Sequence, residues 1–291
     1  MQICPMESDE ITVSALRDAD VLVVRTRTRV NRQLLEGTAV RMVCTATIGF
    51  DHIDTAYCEQ HGIAWMACPG CNAQAVCDYI EEVLDELPLT ANPSPLTIGI
   101  VGVGHVGSLV AKMAERRGLR VLLNDPPKGI GVSLDEIAES CDIITLHVPL
   151  DATTHYLCNA ELLSRTKPDA LIINAARGGV VDEQALLRSG RPFVLDTWEN
   201  EPNLNLAVLQ QARLASMHIA GYSLQGKLNA TQMCLDAIAR HFNLSPLTAN
   251  PSPLTTNPSP LTATHWLTDI TTTLKAHPEQ FEQLRRTYPL R

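Results

Sequence analysis

The residues with the clearest chemical potential begin in IGIVGVGHVGSLVAKMAERRG, residues 98–118, where Gly102, Gly104 and Gly107 form GxGxxG between an apolar run and an amphipathic helical pattern. The three glycines serve different physical ends. Gly102 permits a tight turn, Gly104 lets backbone approach a pyrophosphate, and Gly107 allows helix and strand to pack closely. His105 and Val106 become backbone neighbours of that ligand. Eighteen residues after Gly107, Asp125 ends the next apolar run, RVLLND. A carboxylate there accepts hydrogen bonds from an adenosine ribose and repels a 2′-phosphate, so NAD is expected over NADP. Further on, NAARGGVVD places Arg177 just past a strand-like run, VLDTWENEP supplies Asp196 and Glu201, and SMHIAGYS supplies His218. Taken alone, Arg177 could be a surface ion pair and His218 an ordinary packed histidine.

These residues need a scaffold, and its rhythm is visible. Short apolar runs at 21–24, 42–46, 98–104, 120–125, 142–148, 170–176 and 192–196 alternate with longer helical patterns. That alternation predicts an α/β fold with a parallel sheet covered by helices. Ser133 and Glu136 stand at capping-box spacing and predict a helix start, and a second helix is expected over 107–117. Open sheets of this kind bind ligands beyond the carboxyl ends of their strands, where the glycine run and Arg177 both fall.

At 291 residues the chain has room for two domains. Its net charge of −9 offers no broad basic surface for nucleic acid, although Arg25, Arg27, Arg29 and Arg32 could bind a small anion. No apolar run reaches the length of a membrane span. The first ten residues, MQICPMESDE, lack the pattern of a secretory signal, so the nine cysteines are expected to be reduced in the cytoplasm. Cys68-Pro-Gly-Cys71 has redox-motif spacing but no second pair at zinc-site distance, and a plain loop with two thiols is expected, with no metal. PLTANPSPLT at 88–97 recurs at 246–255 and is extended by TNPSPLT at 256–262. Repeated proline excludes helix and central strand, so 88–97 and 246–262 are expected to be exposed inserted loops flanking domain boundaries.

The succession NAxRG, DxWExEP and HIAG resembles the D-isomer-specific 2-hydroxyacid dehydrogenase family. Further stretches, VRTRTRVN at 24–31, TATIGFDHID at 45–54, PGCNAQAV at 69–76, DPP at 125–127 and HIAGYSLQGK at 218–227, look like the branch of that family that serves pyridoxal phosphate synthesis. The resemblance runs densely from about residue 17 to 242 and returns weakly in PEQFEQLRRTYPLR. It implies a Rossmann-type NAD-binding domain over 98–220 and a smaller, discontinuous flavodoxin-like substrate domain over 1–77 and 225–243, with the active site in the cleft between them. Residues 264–291 would be a remnant of a C-terminal dimerisation segment, implying a homodimer.

The resemblance also assigns roles. Arg177 would hold the substrate carboxylate and carbonyl oxygen, His218 would transfer the proton, and Glu201 would fix the imidazole. Thr26, Thr47 and Tyr222 would bind substrate, while Ala175, Ala176, Asp196, Gly221 and Val148 would line the cofactor, Val148 standing where a Thr is usual. The implied reaction is NAD-dependent oxidation of 4-phospho-D-erythronate, with the Arg25–Arg32 segment as the expected phosphate contact. Related acids such as 3-phosphoglycerate, an NAD-sensing role and an inactive truncated product stay open as alternatives. The last arises because the family has a further strand before residue 7, interior to its first sheet, and its absence would leave unpaired backbone unless MQICP replaces it or the recorded start lies downstream of the real one.

Overall fold

A computed structural model describes residues 2–87, 95–248 and 265–289. The described residues divide into two compact units, Met1–Asn72 with Ser223–Thr255 and Ala73–Tyr222 with Thr256–Arg291.

The first unit opens with β1 (Val21–Val24), α1 (Arg32–Leu35), β2 (Met42–Thr45), α2 (Thr55–Gln60) and β3 (Ala64–Met66). The strands form a parallel sheet in the order β1-β2-β3. Side chains alternate across a strand, and β2 uses both faces. Val43 joins Leu16, Leu22, Val24, Val30 and Ile53 on one side, while Met42 and Cys44 face Ala230, Cys234 and Ile238 on the other. The anticipated gap left by a missing strand does not exist among the described residues, because β1 pairs directly with β2 from Val21↔Met42 to Val24↔Thr45. Nor does MQICP rebuild a strand, since residues 2–5 are exposed and irregular. Direct pairing satisfies the backbone groups that an interior gap would have left orphaned.

The second unit begins with α3 (Ala73–Glu86) and continues through β4 (Thr97–Val101), α4 (His105–Arg116), β5 (Arg120–Asp125), β6 (Ile130–Gly131), α5 (Leu134–Ser140) and β7 (Ile143–Leu146). It goes on with α6 (Ala160–Arg165), β8 (Leu171–Asn174), α7 (Glu183–Ser189), β9 (Phe193–Leu195), α8 (Leu206–Gln211) and β10 (Leu214–Ala215). The helix α9 (Leu224–His241) returns to the first unit, and α10 (Trp266–Ala276) and α11 (Phe281–Thr287) complete the second. Its seven-stranded sheet has the order β10-β9-β8-β7-β4-β5-β6, parallel except for β6. The order reverses between β4 and β7, the switch point where such sheets bind ligands, and the glycine run leaves β4 at that point.

The units depart from the expected spans 1–77 with 225–243 and 98–220, most clearly at α3 and at the C-terminal segment. Residues 73–77 start α3, whose Val76, Cys77, Tyr79, Ile80 and Val83 enter the core of the second unit, so the first unit's opening segment ends at Asn72 rather than at 77. The segment 265–289 folds back onto the second unit. Thr271 Oγ1 accepts from Ala215 N at 2.8 Å, Lys275 Nζ donates to Ala212 O at 2.7 Å, and Leu267, Leu274 and Phe281 are fully buried. This packing covers edge strand β10, whose free backbone groups would otherwise be exposed.

Of the proline-rich tracts, 88–94 and 249–262 lie outside the described residues. The end of the first tract is not loop: Thr97 is buried and opens β4, its N–H donating to Asp142 Oδ2 at 2.8 Å. Leu247 in the second packs against the α9 core cluster. Cys68 and Cys71 are both buried, and Cys68 Sγ lies 3.6 Å from Cys234 Sγ. That thiol contact and burial push Cys68 up, and burial lifts Cys71 to about 11, so neither is a ready thiolate.

Candidate active site

The dinucleotide cradle is built by backbone constraint. Gly102 adopts φ +92°, and a Cβ there would stand 2.7 Å from His147 O and 2.9 Å from the side chain of Val148. At Gly107 a Cβ would fall 1.9 Å from Gly102 O, so helix and loop can meet only without one. Gly104 is different: beyond its own chain neighbours and helix backbone, no atom of the described residues lies within 4 Å of its Cβ position, and as N-cap of α4 it places no side chain over the first-turn N–H groups. Those unsatisfied donors and the positive end of the helix dipole suit a pyrophosphate. His105 is exposed, Val106 is half-buried and Gly107 is buried.

Asp125 sits at the end of β5 with one oxygen, Oδ2, accepting from Val103 N at 2.9 Å. Lys128 Nζ, which donates to Val103 O at 2.7 Å, lies 3.3 Å from that same oxygen. The carboxylate therefore faces the glycine run as the ribose contact requires, and its second oxygen keeps its acceptor capacity. Asp125→Ser is expected to weaken NAD and narrow its advantage over NADP, read by titrating both cofactors. Equal use of the two by the unaltered protein would contradict the role given to this charge.

Three loops at the carboxyl ends of β8, β9 and β10 carry the remaining groups. After β8, Asn174 Nδ2 donates to Arg177 O at 2.8 Å and its Oδ1 accepts from Ala176 N at 3.1 Å, pinning Ala175, Ala176 and Arg177 in one turn. Arg177 Nη1 donates to Ala176 O at 2.8 Å, and the side chain remains partly exposed. A Cβ on Gly178 would collide with Trp198 O at 2.0 Å, so this loop packs on the turn after β9 only because glycine follows the arginine.

In that turn Glu201 Oε1 accepts from Trp198 N at 3.0 Å, and Trp198 Nε1 donates to Ser216 O at 2.8 Å. His218 follows β10 with its backbone in the left-handed region, φ +57°. Such a conformation costs about 1–3 kcal/mol in a residue with a side chain and needs surrounding support. Asp196 supplies it. Its backbone O accepts from His218 N at 2.7 Å, and its carboxylate accepts from Ser216 Oγ at 2.6 Å, Ile219 N at 2.7 Å and Ala220 N at 3.0 Å. Buried Asp196 therefore organises the loop that presents His218, with Gly221 and Tyr222 immediately after.

His218 Nδ1 lies 2.9 Å from Glu201 Oε2 and 3.2 Å from Oε1. Burial alone would raise the Glu201 carboxyl. The hydrogen bond and charge of His218, the Trp198 N–H and the charge of Arg285 outweigh it, and the net displacement is downward. An ionised Glu201 accepts, so Nδ1 carries the proton and Nε2 keeps its lone pair for an external group. The arrangement brings together Arg177, Glu201, His218 and the glycine cradle on one unit. Thr26 and Thr47 belong to the other. Thr26 is exposed just after β1, and the Thr47 hydroxyl donates to Gly49 O at 2.9 Å. In the arginine segment Arg25, Arg27, Arg29 and Arg32 are all exposed, and Arg32 is paired with Glu36 at 2.8 Å.

The geometry meets clear similarity to known proteins. The family model described as "D-isomer specific 2-hydroxyacid dehydrogenase, NAD binding domain" matches residues 84–220. An erythronate-4-phosphate dehydrogenase of Bacteroides thetaiotaomicron is 43% identical, with 97% of this chain and 88% of that protein covered. The chain belongs to the erythronate-4-phosphate dehydrogenase family. Another member, from Porphyromonas gingivalis, is 39% identical over 98% of this chain and 86% of its own length. Among solved structures, D-lactate dehydrogenase from Aquifex aeolicus, complexed with NAD and lactic acid, gives a TM-score of 0.65 at 26% identity, covering 81% of this chain and 86% of that one. As a member of this family the chain is an NAD-dependent oxidoreductase. Among the described residues no helix is long and apolar enough to cross a membrane.

Sequence reasoning missed Ser216, Lys128 and Glu183, none of which belongs to a motif with a mechanism. Glu183 heads α7, is 3% exposed, and accepts from Glu199 N at 2.7 Å. Burial lifts its carboxyl to about 7, with the nearby charges of Glu199 and Glu201 adding to the effect. The folded protein thus holds this proton to higher pH than the unfolded chain. The associated stability is complete below about pH 4.5, where an unfolded Glu titrates, and is lost as pH rises through about 7. Glu183→Gln keeps the acceptor for Glu199 N and is expected to remove a loss of ~3 kcal/mol between these limits. Melting both proteins at pH 5 and pH 8 measures the difference, and identical pH dependence would refute it.

Proposed function

We propose that this chain oxidises 4-phospho-D-erythronate to (R)-3-hydroxy-2-oxo-4-phosphooxybutanoate, a step of pyridoxal 5′-phosphate biosynthesis. The observation that carries this reading is the His218–Glu201 pair, held with Arg177 on the same unit as the glycine cradle, in a chain similar over nearly its whole length to erythronate-4-phosphate dehydrogenases.

NAD, held by the glycine cradle, would supply the hydride acceptor for C2 of the hydroxy acid. The chain's residues do the rest. Gly102, Gly104 and Gly107 admit the pyrophosphate, Asp125 receives the ribose hydroxyls, and Ala175, Ala176, Val148, Asp196 and Gly221 border the cofactor. Arg177 aligns the substrate carboxylate and stabilises the oxygen at C2 as it becomes a carbonyl, a role suited to a planar guanidinium. His218 Nε2 takes the hydroxyl proton, and Glu201 stabilises the imidazolium that results. Thr26, Thr47 and Tyr222 offer hydroxyls to the substrate. Proton and hydride leave C2 and its oxygen in one balanced oxidation.

The partner is thus a small phosphorylated hydroxy acid, with neither nucleic acid nor membrane involved, and the assembly is a homodimer. The nine cysteines are all free, which suits a cytoplasmic setting. NADH formation by purified protein with 4-phosphoerythronate tests the reading against its rivals. Turnover of 3-phosphoglycerate in preference would move the assignment to a neighbouring substrate. NAD binding without turnover of any hydroxy acid would leave a binding protein.

A further inference from the structure

The helix α11 carries two consecutive arginines with opposite fates. Phe281 is 1% exposed and anchors the helix in the core of the second unit. Residues four apart share a helix face, so Arg285 follows Phe281 inward while Arg286 points to solvent with 61% of its side chain exposed. The Arg285 side chain is only 21% exposed, and its guanidinium carbon lies 5.9 Å from the centre of the Tyr222 ring. Its charge also reaches Glu201, where it favours the carboxylate.

This cation is incompletely satisfied. Arg285 Nε is buried and has no hydrogen-bond partner among the described residues. Among the described residues the carboxylate within ion-pair reach is Glu282, 3.6 Å from Nη1 and itself 42% exposed. Glu201 is already bonded to His218 and to Trp198 N. A guanidinium offers five donors in a fork that matches a phosphate, and a buried unpaired donor is costly unless something completes it. Nε itself is closed off, and the 21% of the side chain that stays exposed is what an external anion can reach.

We propose that Arg285 is a specificity-determining residue that binds the phosphate monoester of the substrate next to Tyr222. The C-terminal helix would thereby contribute to the active site, in addition to its anchoring in the core of the second unit through Phe281. The inference rests on the proposed function for the identity of the phosphorylated acid, and its test is arranged so that the two can fail separately.

The first measurement is binding of inorganic phosphate to the NAD-loaded protein by calorimetry, for wild type, Arg285→Ala, Arg285→Lys and the surface control Arg286→Ala. Loss in Arg285→Ala, partial retention in Arg285→Lys and no change in Arg286→Ala are expected. The second is kcat/KM for 4-phosphoerythronate and for unphosphorylated D-erythronate. Arg285→Ala is expected to lower kcat/KM for the phosphorylated acid about 10–100-fold, mainly through KM, the usual range for hydrogen bonds to a charged group. D-erythronate should change less than about twofold, because it lacks the group that Arg285 holds. If the Ala protein does not fold, as judged by NAD binding and melting, the Lys variant carries the same comparison. Wild-type phosphate affinity in the Arg285 variants, or equal losses on both acids, overturns the inference. If wild type fails to oxidise 4-phosphoerythronate, the proposed function falls while the phosphate titration still decides the role of Arg285.

Discussion

Replacing His218 by Ala is expected to lower turnover about 10²–10⁴-fold, the range for loss of a positioned acid–base group. NAD affinity should change little, because Gly102 to Gly107, the residues proposed to take the cofactor's phosphates, do not depend on the imidazole. Glu201→Gln gives the more diagnostic result. With ionised Glu201 on Nδ1, the neutral imidazole presents the lone pair of Nε2 to the substrate hydroxyl. A neutral amide on Nδ1 cannot stabilise the imidazolium that forms as the proton arrives, so kcat should fall while NAD affinity holds. Steady-state kinetics and NAD titration on both proteins provide the check. Wild-type kcat in Glu201→Gln would mean that the carboxylate found 2.9 Å from Nδ1 does not govern proton transfer.

Substitution of Arg177 is expected to cost nearly as much. Its guanidinium is the cation placed by the Asn174-pinned turn after β8, and Gly178 fixes that turn against Trp198 O. Arg177→Ala should reduce kcat about 10²–10³-fold, as removal of one stabilising donor from a developing oxyanion does elsewhere. Arg177→Lys should recover only part of this, since a point charge cannot reproduce a two-pronged contact with the carboxylate and C2 oxygen. Steady-state kinetics of the three proteins measure the loss, and NAD titration shows whether the cradle survives. Full activity in Arg177→Lys would show that charge alone suffices and that the fork geometry has no role.

Much of the second unit was legible because its signals are local. Glycines at 102, 104 and 107 mark a required turn and two close approaches, and all three reappear as contacts that a Cβ would violate or crowd, or as open space for a ligand. Ser133 was readable as a cap because its side chain bonds three residues on, to Glu136 N at 3.1 Å. Strand β5 was read over its full span, 120–125, because apolar side chains run to an acid at its end. Strands β3 and β6 escaped notice, and the two residues of β6 hold no period to detect.

By itself the sequence determined the cradle, the α/β rhythm and the identity of the groups able to move a proton and hold a carboxylate, because these depend on residue type and short-range spacing. Only the tertiary structure decided which of them meet. His218 and Glu201 touch across 17 positions because Asp196 and Ser216 lock a left-handed backbone at the end of β10, and no periodicity encodes that lock. The direct β1-β2 pairing likewise followed from satisfying backbone groups, where counting strands had suggested a gap. Arg285 is remote from every catalytic motif in the chain. It reaches Tyr222 because Phe281 and Leu274 bury their side chains in the core of the second unit, and packing of that kind is chosen by what else lies on the surface that receives it.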